Sequence, residues 1–131
     1  MFYAISIIVP ANTTRDNPKR DTLPVTMGTI TRVMLRWRWG IGDLGGCRVL
    51  YHETALWPRN RNSWIPSFHE SIEYAEGWPL NLDPSELVIE TYNTDDTHEH
   101  AFWIGVEIMR SRTYREFMID IARVMQGVIN G

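Results

Sequence analysis

The fold is decided by residues 28–39, which read GTITRVMLRWRW. Apolar side chains occupy its odd positions Val33, Leu35, Trp37 and Trp39. The even positions hold three arginines and two apolar residues, namely Arg32, Arg36 and Arg38 with Ile30 and Met34. A period of two is typical of a strand that buries one face. We therefore expect the arginines to share the solvent face of a sheet.

The same alternation recurs at short intervals along the chain. It covers residues 2–9, 47–51, 68–74, 86–92 and 98–109. The glycine-rich stretch 40–46 predicts a hairpin between the strands on either side of it, and the polar stretch 93–97 predicts a second hairpin. Residues 10–24 contain three prolines among short polar side chains, which predicts a loop.

The period changes from two to 3.6 near the end of the chain. Thr113 and Glu116 have the spacing of a capping box, and Gly127 is placed to end the helix that follows. The sequence therefore predicts a mostly β protein, an antiparallel β-sandwich or jelly roll of about six to eight strands with one C-terminal amphipathic helix. Residues 1–110 would form the sandwich, and residues 111–131 a helix that docks on it or on a neighbouring chain.

Composition and motifs favour binding over catalysis. The 131 residues are 44% hydrophobic and 22% charged, as in ordinary folded domains. Cys47 is the single cysteine, so we expect small buried filler and no disulfide. No phosphate-binding loop, dinucleotide motif or nucleophile elbow occurs, which predicts a protein that is not an enzyme and has no cofactor. Residues 2–9 are too short to cross a bilayer, so no membrane partner is expected.

Charge is divided between the two halves of the chain. Residues 1–64 carry nine basic and four acidic side chains, while residues 65–131 carry four and twelve. Lys19 is the single lysine among thirteen basic residues, and arginine is suited to fixed two-point contacts with carboxylates. The overall charge of −3 argues against nucleic acid as a partner, because a net negative field repels phosphates.

We expect the chain to bind other protein chains, in a homo-oligomer or a larger symmetric assembly. Six tryptophans exceed the needs of a core this size, and those beside prolines or in loops are candidates for an interface. The candidate interface residues are Trp57, Trp64 and Trp78, the arginines Arg32, Arg36 and Arg38, and the helical residues Phe117, Ile121 and Met125.

Two alternatives remain open. The same tryptophans could serve as stacking platforms in a carbohydrate-binding module. A metal-binding enzyme is the other, because Asp95, Asp96, His98 and His100 are dense in potential ligands, and two histidines at alternate strand positions would share one face. The competing interpretation of that cluster is a hairpin turn in which the aspartates accept backbone amides.

Three segments resemble small β-sandwich proteins of phage-type virion gene clusters. They are VPANT at 9–13, LWP at 56–58, and residues 93–100 ahead of IGV at 104–106. The resemblance implies a capsid or decoration protein, located in the virion and assembled in the cytoplasm. It carries no catalytic signature, and it leaves the terminal helix outside the shared pattern.

Overall fold

A computed structural model describes residues 1–38, 40–60, 62–67, 71–110 and 122–127, with the backbone alone at positions 75 and 76. The described residues form nine strands and one short helix over 122–127. The strands are β1 (Phe2–Val9), β2 (Lys19–Pro24), β3 (Gly28–Trp37), β4 (Gly45–Tyr51), β5 (Thr54–Trp57), β6 (Ile65–Pro66), β7 (Ser71–Leu80), β8 (Glu86–Asn93) and β9 (His100–Arg110).

The strands form two antiparallel sheets. Sheet A has the order β1-β9-β3-β7, and sheet B has the order β2-β8-β4-β5, with the short β6 also paired to β4. Strands from the first half of the chain pair with strands from the second half in reverse order. The pairs are β1 with β9, β2 with β8, β3 with β7, and β4 with β5. Two strand orders related in this way define a jelly roll.

One hydrophobic core lies between the sheets. Sheet A contributes Val33 and Phe102, and sheet B contributes Val49 and Ile89, all of them without exposed surface. Alternation along each strand sends these side chains inward and the polar ones outward. The predicted fold class, a mostly β antiparallel sandwich with a C-terminal helix, is confirmed.

A β-bulge corrects the predicted phase of β3. The pairing of β3 with both of its neighbours shifts between Ile30 and Arg32. Against β9 the extra residue is Thr31, whereas against β7 the extra residue lies on β7, between Ala75 and Trp78. Ile30 is therefore fully buried, whereas strict alternation had placed it beside the arginines. An extra residue reverses the inward and outward assignment of the positions before it.

Neither predicted hairpin forms. Strands β3 and β4 lie in different sheets, and so do β8 and β9, so the chain passes from one sheet to the other between each pair of strands. Local alternation cannot distinguish such a crossing from a hairpin, because both need a turn between two amphipathic strands. The tight hairpin of the described chain joins β4 to β5 through His52 and Glu53, whose φ angles of 48° and 68° suit a type I′ turn.

The stretch predicted as a loop contains a strand. Residues 19–24 of that stretch form β2, which pairs along its whole length with β8. Leu23 is the buried anchor of β2, and Lys19 and Asp21 form an ion pair at 2.8 Å on the strand. Pairing with β8 overrides the weak local preference of these residues for strand.

The described helix covers a small part of the predicted one. Val124 and Met125 are 68% and 61% exposed there. The candidate residues Phe117 and Ile121, together with Trp39, lie outside the described residues. Among those described, no helix has the length and apolar character that a bilayer crossing requires.

Two leucines near the end of β7 test the position of the core. Leu80 is fully buried, whereas Leu82, two residues later, is 48% exposed. We expect Leu80→Ala to lower the free energy of unfolding by about 2–5 kcal/mol, because it leaves a cavity between the sheets. Leu82→Ala should lower it by less than about 1 kcal/mol, as exposed substitutions usually do. Denaturant unfolding measures both, and equal losses would contradict the assigned core.

Candidate functional site

The outer face of sheet A is the candidate site. The register aligns Ser6 of β1 with Trp103 of β9, and Trp103 with Arg36 of β3, so the three side chains form a row across the sheet. Phe2 and Ile8, on the same face of β1, are 51% and 49% exposed. We call the surface made by Phe2, Ile8, Arg36, Arg38 and Trp103 the aromatic–arginine face.

A glycine at the centre of this face sets its shape. Gly105 lies in β9 between Ala4 and Met34 of the neighbouring strands. A Cβ built at Gly105 would stand 2.5 Å from the Trp103 ring and 2.7 Å from the Phe2 ring. The two rings therefore occupy the space of the missing side chain, with their centroids 6.2 Å apart. Rings held in this way present a broad apolar surface at little cost in side-chain entropy.

Two arginines border the aromatic surface. The Arg36 guanidinium lies 5.8 Å from the centroid of the Trp103 ring, in a cation–π contact. Arg36 and Arg38 are exposed, and among the described residues neither has a carboxylate partner. With Ser6, Ile8, Ala101 and Trp103 they line an open groove of about 340 Å³. The groove thus combines an apolar floor with two cations able to receive an acidic group.

Arg32, the third predicted arginine, is already engaged within its own sheet. Its Nε donates to Glu73 Oε1 at 2.6 Å, and its Nη1 lies 3.8 Å from Glu107 Oε2. The hydrogen bond with Glu73 raises the pKa of the Arg32 guanidinium above its ordinary value. Arg32 is therefore a cross-strand partner, while Arg36 and Arg38 carry the charge of the site.

The outer face of sheet B uses its arginines differently. Arg48 lies 4.1 Å above the Trp64 ring, and its Nε is 3.2 Å from Glu90 Oε1. Trp64 meets Tyr92 edge to face at 4.9 Å, and Arg15 covers the Tyr92 ring at 4.8 Å. On this face the arginines already contact aromatic rings and a carboxylate of the same chain. It therefore has fewer groups available to bind a partner than the aromatic–arginine face has.

The three tryptophans predicted as exposed platforms lie elsewhere. Trp57 is 4% exposed and belongs to the core, which corrects its assignment to an interface. Trp64 has Arg48 over its ring, and Trp78 packs partly against the core with Arg59 5.7 Å from its ring. No open stacking platform for a sugar is found at these three positions.

Sequence reasoning missed Phe2, Ile8 and Trp103. Alternation assigns Phe2 and Ile8 to a strand and no further, and Trp103 lies neither beside a proline nor in a loop, which are the features that select the candidate tryptophans. The sequence does contain a signal for Trp103. The apolar residues Phe102, Ile104 and Val106 alternate on the buried face of β9, which places Trp103 and Gly105 together on the opposite face. A tryptophan two residues from a glycine on the solvent face of a strand is a sign of a ring packed on bare backbone.

The connection 94–99 is held by a buried asparagine and an aspartate. Asn93 has no exposed surface; its Nδ2 donates to the carbonyls of Val9 and His98, at 3.2 and 2.9 Å. Its Oδ1 accepts the Asp95 amide at 3.0 Å. Asp95 Oδ1 in turn accepts the amides of Thr97 and His98, at 2.9 and 3.2 Å. These bonds fix the path along which the chain leaves sheet B for sheet A.

The same bonds agree with the turn interpretation of the acidic cluster at Asp95, although the turn does not close a hairpin. His98 lies in the connection and β9 begins at His100, so the two histidines do not share a strand face. His100 Nε2 is 2.9 Å from Asp95 Oδ2. Across the described part of the chain, no three His, Cys, Asp or Glu side chains are grouped to hold a metal ion. Asp95 acts here as the acceptor of a structured turn.

Cys47 lies between the sheets. It is 1% exposed, as predicted for buried filler. Burial raises the pKa of its thiol well above the ordinary value, because the thiolate would lose its hydration. The group is therefore a packed thiol with no access to a reagent or substrate.

Comparison with known proteins identifies a fold and no family. No family model and no curated protein matches the sequence. Among solved structures, the chain is similar to the crystal structure of FlhE, with a TM-score of 0.51 over 84% of this chain and 97% of that one. The two sequences are 9% identical, so the similarity shows a shared fold alone.

The Asp95 turn predicts a specific loss of stability in acid. The contact with His100 and the two backbone amides lower the pKa of Asp95 from 3.8 to about 2. A carboxyl group with a lowered pKa stabilises the fold above its ordinary pKa, and this stabilisation disappears as the pH falls toward its folded value. We expect Asp95→Asn to be less stable than the wild type at neutral pH and to lose less stability between pH 5 and about 2.

The neighbouring Asp96→Asn is the matched control, because it leaves the Asp95 hydrogen bonds in place. Thermal unfolding across this pH range measures the three proteins. Parallel curves for Asp95→Asn and the wild type would refute the assigned role.

Proposed function

We propose that this chain is a structural protein of a virion, of the capsid or decoration type, that binds other protein chains through the aromatic–arginine face. The observation that carries the proposal is the combination on that face of half-exposed Phe2 and Ile8 with two arginines that lack a carboxylate in the described chain. Apolar side chains grouped beside unpaired cations mark an interaction surface.

The chemistry of the face describes its partner. Phe2, Ile8 and Trp103 would bury apolar side chains, and Arg36 and Arg38 would receive carboxylates in two-point geometry. The partner surface is therefore apolar at its centre and acidic on the side that meets β3. Such pairing sets orientation and specificity, while burial of the rings supplies most of the affinity.

The architecture agrees with an assembly role. Jelly rolls occur in the shells of viruses and in lectins, where broad sheet faces and loops make contacts between molecules. Fold alone does not define function, so the proposal rests on the face and on the resemblance to virion proteins. The carbohydrate alternative is less well supported, because Trp57 is buried and Trp64 is covered by Arg48.

A charge reversal on the face tests the proposal. Arg36→Glu places an acid where the proposed partner offers acids, so binding to empty shells of a candidate major capsid protein should weaken by about tenfold or more. The measurement is co-sedimentation of the purified chain with shells over a concentration series.

Arg15→Glu is the matched control. It makes the same change in net charge and also removes an arginine stacked on an aromatic ring, but it lies by the outer face of sheet B. We expect it to bind shells like the wild type. Equal binding by Arg36→Glu and the wild type would contradict the assigned face, and a wild type that binds no shells would contradict the proposed function.

A further inference from the structure

The outer edge of β1 carries backbone groups that no described residue pairs. The Met1 amino group donates to the Ile108 carbonyl at 2.8 Å, and the Ile108 amide donates to the Met1 carbonyl at 2.7 Å. Along a strand, the backbone N–H and C=O groups of successive residues point to opposite sides of the strand. Because those of Met1 point at β9, the odd residues of β1 also direct theirs at β9. The amides and carbonyls of Phe2, Ala4, Ser6 and Ile8 therefore point away from the sheet.

The other edges of the two sheets are protected. Strand β2 carries Lys19, Arg20 and Asp21 and ends at Pro24. Strand β7 contains acidic residues and Pro79, and β5 is four residues long. Charges, prolines and short length are the means by which edge strands avoid pairing with another chain. Strand β1, which reads FYAISIIV, has eight residues with no charge, proline or bulge.

Strand β1 is also complementary to a second copy of itself. In an antiparallel pairing centred on Ile5, Phe2 faces Ile8 and Ala4 faces Ser6 of the other copy. These two pairs and their two symmetry equivalents are hydrogen-bonded pairs, in which facing residues exchange both N–H···O bonds. The four pairs therefore form about eight hydrogen bonds between the outward-pointing groups of the two strands. Any other symmetric register that joins these groups shortens the overlap. An aromatic side chain opposite a β-branched one is a favourable cross-strand pair, and no like charges meet.

We infer that two copies of this chain form a two-fold dimer through antiparallel β1–β1 pairing centred on Ile5. The two A sheets become one continuous sheet of eight strands, β7-β3-β9-β1-β1-β9-β3-β7. Phe2 and Ile8 gain apolar neighbours across the axis, and the two aromatic–arginine faces lie on the same side of one sheet. The dimer goes beyond the proposed function, because it requires neither a virion nor a shell.

Proline at position 6 tests the edge. The Ser6 amide points outward, so Ser6→Pro removes a donor that the folded chain does not use and places a ring where the second strand would lie. We expect light scattering to give the wild type twice the 15.3 kDa chain mass, and Ser6→Pro the mass of one chain. Ser6→Ala, which keeps the amide, should remain a dimer. A wild type that is monomeric over a full concentration series would overturn the inference.

Two double variants test the register without proline. In the inferred dimer position 4 faces position 6, so Ala4→Lys with Ser6→Lys opposes like charges, and Ala4→Glu with Ser6→Lys opposes unlike ones. The first should raise the dimer dissociation constant by about tenfold or more, and the second should leave it near the wild-type value. Equal dissociation constants for the two double variants would overturn the register.

The two proposals fail separately. A monomeric wild type whose shell binding still depends on Arg36 would overturn the dimer and leave the proposed function standing. A β1-dependent dimer that binds no shell would do the reverse.

Discussion

The pairing of β1 with β9 is the constraint on which the molecule depends. It joins residues about a hundred positions apart in the chain, and the pairings β2–β8, β3–β7 and β4–β5 follow inward from it in reverse order. Closing so long a loop costs conformational entropy before any contact repays it. The fold must therefore be held by the common core, since no single hairpin could stand alone. The hydrogen bonds of Asn93 and Asp95 then fix the connection that leads from β8 in one sheet to β9 in the other.

Much of the fold could be predicted from alternation, because period two records which side chains face the core. The inward series Val33, Leu35 and Trp37 was assigned correctly, and so was the sandwich class. The connections were not, because a turn sequence does not record whether the next strand pairs with its predecessor or crosses to the other sheet. Ile30 shows the second limit: a bulge is set by the pairing of both neighbours, which no local pattern contains.

The site was only partly accessible from the sequence. Arg36 and Arg38 were identified from their place on the even face of β3, yet Arg32 shares that face and is neutralised by Glu73 from an adjacent strand. The exposure of the tryptophans was harder to predict. Trp57 is followed by a proline, but a neighbouring proline does not indicate whether the other sheet covers the ring. Phe2 and Trp103 come together across β1 and β9, so their association depends on the longest-range pairing in the chain.

The missing side chain of Gly105 has a consequence for the geometry of recognition. Since the Phe2 and Trp103 rings fill the space above the Gly105 backbone, the open groove of the face lies beside the Trp103 ring, toward Ile8 and the two arginines. A broad, open surface of this kind distinguishes partners by the shape and extent of the contact area, whereas a closed pocket selects one inserted side chain. The partner proposed above would therefore meet this face with a broad protein surface of its own.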